Sequence, residues 1–180
     1  MFTKTSISAM RALTWLGSQD SGQPQPPRAI AAALGESPSY LAKVMQSLVR
    51  AGIVRAQRGV RGGVTLARPP REVTLLAIVE ACQGKILGSF CQDADDLSKT
   101  CGFHHAAAEL HQAVVGTMSR WTLQHFLDRP RPDASIRKHV CCWLDPATRP
   151  GSEIAGRPAL SRARRAANAR PRRPARRAVR

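Results

Sequence analysis

The sequence lacks a long apolar run, a secretory signal and the cysteine density of a disulfide-stabilised protein. Five cysteines in 180 residues are too few for a disulfide scaffold. No apolar run reaches the roughly 18 residues that a membrane-spanning helix needs. Residues 1–8 are polar and contain no apolar signal core. We therefore expect a cytoplasmic protein whose thiols stay reduced and which has no membrane partner.

The motifs of common enzyme classes are also missing. The sequence has no Gly-x-Ser-x-Gly nucleophile elbow, no phosphate loop and no His-Glu-x-x-His motif. Acidic residues number 12 against 28 Lys and Arg. Three of the acids (Asp93, Asp95 and Asp96) cluster in one loop without a partner that would suggest acid–base chemistry. We therefore predict that the protein is not an enzyme.

The excess of positive charge is concentrated near the C-terminal end of the sequence. The net charge is +16, of which residues 147–180 carry +10 (eleven arginines and one acid) and residues 1–146 carry +6. From Asp145 on, the sequence is rich in Arg, Ala and Pro and has almost no aromatic or β-branched residues. We therefore predict that residues 129–180 form a basic, mostly disordered tail. Such a tail is also what a GC-rich gene yields when it is read past its natural end or in a shifted frame. A third interpretation is a basic architectural or RNA-binding protein in which the tail dominates.

Hydrophobic spacing predicts a mainly α fold with a small β-hairpin. Apolar residues at helical spacing predict three helices in the first 51 residues, the first capped by Thr5 or Ser6 and the third by Ser37. Two β-prone segments with a glycine-rich tip follow. This order is typical of a winged helix-turn-helix, here followed by a long dimerisation helix. The predicted helices are Thr5–Ser18, Arg28–Leu34, Pro38–Ala51, Thr74–Cys82, Gly102–Met118 and Thr122–Leu127, and the predicted strands are Ile53–Ala56 and Val64–Ala67.

The third helix has the features of a DNA-reading helix. Residues 35–39 supply the short polar turn that lets a helix N-terminus enter the major groove. Ser39, Tyr40 and Lys43 are predicted on the exposed face, where hydroxyl and ammonium groups can reach phosphates or base edges. The predicted DNA-binding residues are Arg28, Ser37, Ser39, Tyr40, Lys43, Arg50, Arg58, Arg61, Gly62 and Gly63.

The tip of the hairpin combines arginines with glycines. Arg58 and Arg61 stand among three glycines (59, 62 and 63), which allow a positive-φ turn and a close approach of the backbone to DNA. An arginine on such a tip suits a narrow minor groove, where the potential is most negative. Residues 28–71 carry eight basic side chains and one acid, a net charge of +7 that is typical of a nucleic-acid-binding surface.

Several stretches of the sequence carry a family resemblance. They are Ser39–Leu41, Leu48–Val54, Arg58–Pro70, Val73–Ala81 and Trp121–Leu123, and the stretch at the wing is the most specific. Together they resemble the Rrf2 family of bacterial winged-helix repressors, over about residues 1–128. The family includes the iron–sulfur assembly regulator and the nitric-oxide-sensing repressor. The resemblance implies a homodimer, paired through the long helix, that binds a two-fold symmetric operator in double-stranded DNA.

The resemblance also suggests how the chain is divided. We expect a winged helix-turn-helix DNA-binding domain over residues 1–83 and a cysteine-bearing sensor loop over residues 84–101. A dimerisation helix and a short closing helix are expected over residues 102–128, and the basic tail over residues 129–180. The tail has no counterpart in the family pattern.

The sensor loop is where the resemblance implies an iron–sulfur site. Many family members hold a cluster there with three cysteines, and soft thiolates suit iron–sulfur chemistry. Here the loop contains Cys91 and Cys101, and His104 follows at the Cys-x-x-His spacing of the assembly regulator's ligands. The segment Asp93–Asp96 occupies the place of the middle cysteine. Ser8 stands where other members have an acidic ligand.

Three interpretations of this loop stay open. In the first, Cys91, Cys101, His104 and one hard ligand among Asp95, Asp96 and His105 bind a [2Fe–2S] cluster. In the second, the two cysteines oxidise to a disulfide that changes the DNA affinity of the dimer. In the third, they have no such role and a different effector acts on the repressor.

The other cysteines, histidines and aromatic residues are predicted to have structural roles or none. Cys82, Trp15, Trp121 and Phe126 are expected in the core, His105 and His111 at the surface or the dimer contact, and Cys141 and Cys142 in the tail without a role.

Overall fold

The structure, a computed structural model, describes residues 2–19, 22–59, 62–86, 99–133, 135, 136, 142 and 144. All of them belong to one of the two units into which the chain divides, Met1–Pro150; the other, Gly151–Arg180, lies outside the described residues. The described elements are α1 (Lys4–Gly17), α2 (Pro27–Leu34), α3 (Pro38–Arg50), β1 (Val54–Gln57), β2 (Gly63–Leu66), a one-turn 3₁₀ helix (Pro70–Glu72), α4 (Leu75–Gln83), α5 (Gly102–Arg120) and α6 (Leu123–Asp128). The predicted fold class, mainly α with a β-hairpin wing, is confirmed.

Helix α1 begins earlier than predicted, because Thr3 rather than Thr5 or Ser6 is its N-cap. The Ser6 amide donates to the Thr3 hydroxyl (3.2 Å), and the Thr3 amide donates to the Ser6 hydroxyl (3.0 Å). These reciprocal bonds satisfy two amides at the helix start, as in a capping box. Ser6 is therefore the third helical residue and not the cap.

The turn between α2 and α3 ends one helix and begins the next at the glycine, serine and proline that the sequence predicts. Gly35 ends α2 in the left-handed conformation with φ of +65°, which glycine adopts without steric cost. The Ser37 hydroxyl caps α3 by accepting from the Tyr40 amide (3.2 Å), and Pro38 is the first helical residue. The inner face of α3, with Leu41, Val44, Met45 and Leu48, is buried.

The hydrophobic core is shared by α1, α2, α3, α4 and α6. Helix α1 lies at its centre and contacts the other four. The start of α6 is tied to the start of α4, because the Leu123 amide donates to the Val73 carbonyl (2.8 Å) and the Leu75 amide to that of Trp121 (2.7 Å). Fully buried residues of this core include Leu13, Ile30, Leu41, Leu48, Ile53, Ile78 and Leu123. The closing helix thus packs into the core of the DNA-binding domain.

Trp121 is not in the core, contrary to the prediction. Its side chain is 47% exposed, and its ring lies 5.3 Å from the ring of His125 and 6.3 Å from that of Phe126. The main-chain hydrogen bonds of Trp121 and Leu123 to the start of α4 explain this position. They fix the backbone so that the side chain of Leu123, and not that of Trp121, is buried in the core. Trp15 and Phe126, in contrast, pack against the core as predicted.

Helix α5 is the least buried of the described α-helices. It spans 19 residues and contacts α4, but Met118 is its one buried residue. Phe103 and Leu110 are 66% and 57% exposed. None of the described helices is both long and apolar enough to cross a membrane.

Candidate nucleic-acid interface and cysteine site

One side of α3 is exposed along the whole helix. Ser39, Lys43, Gln46 and Arg50 are exposed and recur at spacings of four, three and four residues, which places them on one face. We call these four residues the reading face. Three of them were predicted DNA-binding residues; Gln46 was not, although helical spacing from Lys43 would have identified it. The Arg50 guanidinium also donates to the Ser47 hydroxyl (3.2 Å).

Tyr40 lies at the border of the reading face. Its hydroxyl is buried and has no hydrogen-bond partner among the described residues. The side chain as a whole is half-buried, and the Lys4 ammonium lies 5.4 Å from the centre of its ring. The hydroxyl that was predicted to reach DNA therefore faces inward in this conformation.

The hairpin is a short antiparallel ladder in which Val54 pairs with Leu66 and Gln57 with Gly63. Arg58 and Arg28 are exposed, and Arg61 lies outside the described residues. The hairpin is anchored by Gln25 in the loop before α2. The Gln25 amide donates to the Val64 carbonyl (3.0 Å), and the Val64 amide donates back (2.9 Å).

The glycines of the wing have different local roles. Among the described tip residues, only Gly59 has a positive φ, +113°. At Gly62 an added Cβ would lie 2.6 Å from the Gln57 carbonyl oxygen, and at Gly63 it would lie 2.6 Å from the Gln25 backbone. The predicted need for positive φ is thus met at Gly59, whereas Gly62 and Gly63 allow close approach within the protein itself.

A cleft of about 510 Å³ separates α3 from the wing. Its walls are mainly apolar, with Met45 and Val49 on the helix side, Ala56 and Val64 on the wing side, and Gln46 and Arg50 among the lining residues. The wing therefore runs along one edge of the reading face.

A buried ion pair ties α1 to the turn before α3. An Arg11 Nη lies 3.3 Å from the Glu36 Oε1, and the two side chains are only 1% and 6% exposed. The Ser8 hydroxyl donates to the same oxygen (2.7 Å), and Arg11 also donates to the Leu34 carbonyl (3.1 Å). This network fixes the orientation of the turn that introduces the reading helix. The sequence signal for it is an arginine within the apolar side of α1, which the sequence analysis did not use.

Arg68 has a structural role within the basic stretch. Its guanidinium donates to the carbonyls of Gly52 (3.1 Å) and Ala51 (3.3 Å), just beyond the last turn of α3. A cation at this end of a helix complements the helix dipole. At least one of the eight basic side chains counted over residues 28–71 therefore stabilises α3.

Cys101 and His104 form a close pair at the start of α5. The Cys101 Sγ lies 2.9 Å from the His104 Nδ1, and the cysteine is exposed. The pKa of Cys101 is lowered, first by the backbone amide of His104 and then by its imidazole. Burial instead raises the pKa of Cys82 to about 11, as fits its predicted role as a small core residue.

Two of the predicted metal ligands, Cys101 and His104, lie next to each other in the described part of the chain. No group of three metal-ligating side chains meets within the described part of the chain. Cys91, Asp95 and Asp96 lie outside it, and His105 is exposed. The adjacent thiol and imidazole of Cys101 and His104 fit two positions of an iron–sulfur site, because a lowered pKa favours the ligating thiolate.

A family model matches most of the chain. The model for Rrf2, described as an iron-dependent transcriptional regulator, matches residues 2–129. The chain therefore belongs to the Rrf2 family of transcriptional regulators.

Individual relatives support the same assignment. The Synechocystis protein slr0846, named as an HTH-type transcriptional regulator, is 40% identical over 123 residues, which are 67% of this chain and 83% of slr0846. The HTH-type regulator NsrR of Geobacillus kaustophilus is 28% identical over 124 residues, 67% of this chain and 84% of NsrR. The solved structure of CymR, the global cysteine regulator of B. subtilis, has the same fold. It is 20% identical with a TM-score of 0.58, over 71% of this chain and 96% of CymR.

Proposed function

We propose that the protein is a sequence-specific transcriptional repressor that binds double-stranded operator DNA through α3 and the wing. The observation that carries this proposal is the reading face, with Ser39, Lys43 and Arg50 exposed on one side of a capped helix beside a basic hairpin. A helix of this kind fits the major groove, where base edges carry a distinct pattern of donors and acceptors.

The predicted residues divide by chemistry into base-reading and backbone-binding groups. Ser39 and Lys43, in the first turns of α3, are assigned to base edges. Arg28, Ser37, Arg50 and Arg58 are assigned to phosphates, which fix the register on the duplex. Arg61, Gly62 and Gly63 are assigned to the wing tip in the minor groove. Tyr40 stays a predicted member of the interface, with its hydroxyl buried in the free protein.

The repressor acts as a homodimer paired through α5. Phe103, Ala106, Leu110, Ala113 and Thr117 are all exposed and follow the three-and-four spacing of a helix-pairing stripe. We call these residues the dimer stripe. A symmetric dimer presents two reading helices and therefore reads a palindromic operator.

Operator affinity is set at the Cys101–His104 pair, which lies at the start of the dimerisation helix. Cys101, His104, Cys91 and one hard ligand (Asp95, Asp96 or His105) are the residues assigned to a [2Fe–2S] cluster, consistent with the family's description as iron-dependent. When bound, the cluster would supply a redox-active group next to α5. The lowered pKa of Cys101 equally supports a second candidate, reversible oxidation with Cys91 in a protein without a cluster.

DNA reading is tested with a duplex selected by the full-length protein from a random-sequence pool. Lys43→Ala is expected to weaken binding to that duplex by about 1–3 kcal/mol and to relax the preference at one base position. The exposed Lys85, beyond α4, provides the matched control Lys85→Ala, for which we expect no such relaxation. Equal, unchanged binding by Lys43→Ala and by Arg61→Ala would exclude this mode of docking.

The nature of the switch is tested by chemical analysis of protein purified without oxygen. About two iron atoms and two acid-labile sulfides per protomer, with a visible charge-transfer band, are expected for a [2Fe–2S] protein. Absence of both after reconstitution excludes the cluster. Cys91→Ser then separates the remaining candidates: a thiol switch loses its oxidant response in this variant, and a repressor with another effector does not.

The alternative of a basic architectural protein is separated by removing the tail. Without residues 129–180, the proposed repressor binds DNA more weakly and with a smaller salt dependence but keeps its sequence preference. An architectural protein dominated by its tail has no sequence preference to keep.

A further inference from the structure

Lys4 and Tyr40 bring the start of α1 to the reading helix. Lys4 is the first residue of α1, and its ammonium lies 5.4 Å from the centre of the Tyr40 ring. This distance is within the roughly 6 Å range of a cation–π contact. The Tyr40 hydroxyl points into the protein, where it is buried. The ring is thereby held in place and presents a face to the lysine.

The position of Tyr40 on α3 defines which edge Lys4 occupies. At 100° per residue, Tyr40 lies on one side of Lys43, and Gln46 and Val49 lie on the other. Gln46 and Val49 line the cleft beside the wing. The reading face is therefore flanked by the wing along one edge and by Lys4 along the opposite edge.

The charge of Lys4 is not neutralised by its described neighbours. The side chain is exposed, and no acid lies in the first turn of α1. Within the described part of the chain, the one ion pair is that between Arg11 and Glu36, and no carboxylate is within ion-pair distance of Lys4. A lysine ammonium in this state is a compact point charge suited to phosphate.

We propose that Lys4 binds the DNA backbone along the edge of the reading helix that is opposite the wing, and that the Tyr40 ring is its positioning residue. This proposal rests on the proposed DNA-reading function. A helix in the major groove has a sugar-phosphate strand on each side. The wing contacts the strand on one side, and Lys4 supplies the cation for the other. The main role of Tyr40 is then to hold Lys4, rather than to bond a base through its hydroxyl.

The test is the salt dependence of DNA binding by the full-length protein to the pool-selected duplex. Each phosphate neutralised in B-DNA changes the slope of log K against log salt by about 0.9. We expect Lys4→Met to make the slope shallower by about this amount and to weaken binding to all sequences alike. Lys4→Arg, which keeps the charge, is expected to retain the wild-type slope. Lys85→Met, which removes an exposed charge elsewhere, is expected to retain it as well.

A double-mutant cycle tests the role of Tyr40. Tyr40→Phe is expected to bind like the wild type, because the hydroxyl is buried. Tyr40→Leu is expected to weaken binding in the wild-type background and to have little further effect in Lys4→Met, since both changes remove the same contact. Far-UV circular dichroism confirms that each variant is folded.

The outcomes separate this inference from the function on which it rests. A wild-type slope in folded Lys4→Met, while the wild type still selects its duplex, overturns the Lys4 contact alone. Altered base preference in Tyr40→Phe overturns the positioning role of Tyr40. A wild-type protein that selects no duplex from the pool overturns the DNA-reading function and this inference together.

Discussion

At the scale of single residues, the main feature is a pair of buried charges at the turn between α2 and α3. Arg11 and Glu36 are almost wholly removed from water, which costs several kcal/mol per ion unless each ion finds a partner. The Glu36 Oε1 accepts from both Ser8 and Arg11. The pair is therefore a constraint on geometry more than a source of net stability. It selects one orientation of the turn that leads into α3.

We predict that Glu36→Ala is strongly destabilising. It leaves Arg11 buried without its carboxylate, and loss of one partner of a buried pair typically costs about 3–5 kcal/mol in the free energy of unfolding. The measurement is urea unfolding followed by circular dichroism. Glu72→Ala serves as the control, because Glu72 is exposed and a change there is expected to stay within about 0.5 kcal/mol. If the two variants unfolded at the same urea concentration, the buried pair would have no structural role.

The two cysteines with opposite pKa shifts are predicted to differ in reactivity. The thiolate is the nucleophile. The lowered pKa of Cys101 gives it a larger thiolate fraction near neutral pH than an ordinary thiol has, whereas Cys82, with a pKa of about 11, stays protonated there. With iodoacetamide at pH 7.5, Cys101 is expected to alkylate well before Cys82, as followed by peptide mass spectrometry.

His104→Ala provides the control for this difference. Removal of the imidazole takes away the second cause of the lowered pKa of Cys101 and leaves the backbone amide of residue 104 in place. Alkylation of Cys101 is therefore expected to slow in part, while that of Cys82 is unchanged. If Cys82 reacts as fast as Cys101 in the folded wild-type protein, the two environments do not differ as described.

At the scale of elements, the wing depends on contacts that are distant in sequence. Gln25 pairs with Val64 across 39 residues, and this pairing requires the two backbones to approach closely at Gly63. The start of α6 is tied to α4 in a similar way through Val73 and Leu123. Each connection satisfies backbone groups that would otherwise lose their hydrogen bonds on burial. The elements are therefore positioned by long-range backbone pairing as well as by the core.

We predict that Gly63→Ala destabilises the wing. An added Cβ would lie 2.6 Å from the Gln25 backbone, so the hairpin must shift, at a cost of about 1–3 kcal/mol. Thermal unfolding measures the loss, and binding to the pool-selected duplex is expected to weaken with it. Gly102→Ala is the matched control: nothing lies within 4 Å of its added Cβ, and it begins a helix. A melting temperature for Gly63→Ala as high as that of Gly102→Ala would contradict this account.

The same distinction between local and distant contacts explains what could be predicted from the sequence. The start of α3 depends on Ser37 and Pro38 and the end of α2 on Gly35, all local signals, so these boundaries were predicted correctly. The Arg11–Glu36 pair joins residues 25 positions apart, and the Gln25–Val64 pairing is longer still. Neither leaves a periodic pattern. Trp121 was misplaced for the same reason, because backbone bonds to α4, rather than hydrophobicity, decide which side chain turns inward.

At the scale of the whole molecule, α5 is the described α-helix that has the smallest share of its residues buried in a single chain. Its dimer stripe exposes Phe103 and Leu110 to solvent in the monomer, while Met118 near its end is held in the core. Nineteen helical residues extend about 28 Å at 1.5 Å per residue, long enough for a continuous helix–helix contact. Since Cys101 caps the start of this helix and His104 lies in its first turn, we expect a chemical change at that pair to affect the proposed contact between protomers.

We predict that Leu110→Asp converts the dimer to a monomer. The substitution places a charge at the middle of the dimer stripe, where pairing would bury it without a partner. Light scattering coupled to size-exclusion chromatography is expected to give twice the 19.6 kDa chain mass for the wild type and a single chain mass for the variant. Gln112→Asp introduces the same charge at an exposed site on the opposite side of α5 and is expected to remain dimeric.

Because a palindromic operator is bound by two reading helices at once, Leu110→Asp should also lose most of its affinity for the full operator while binding a half-site like the wild type. A variant that stays dimeric would exclude the dimer stripe as the pairing surface.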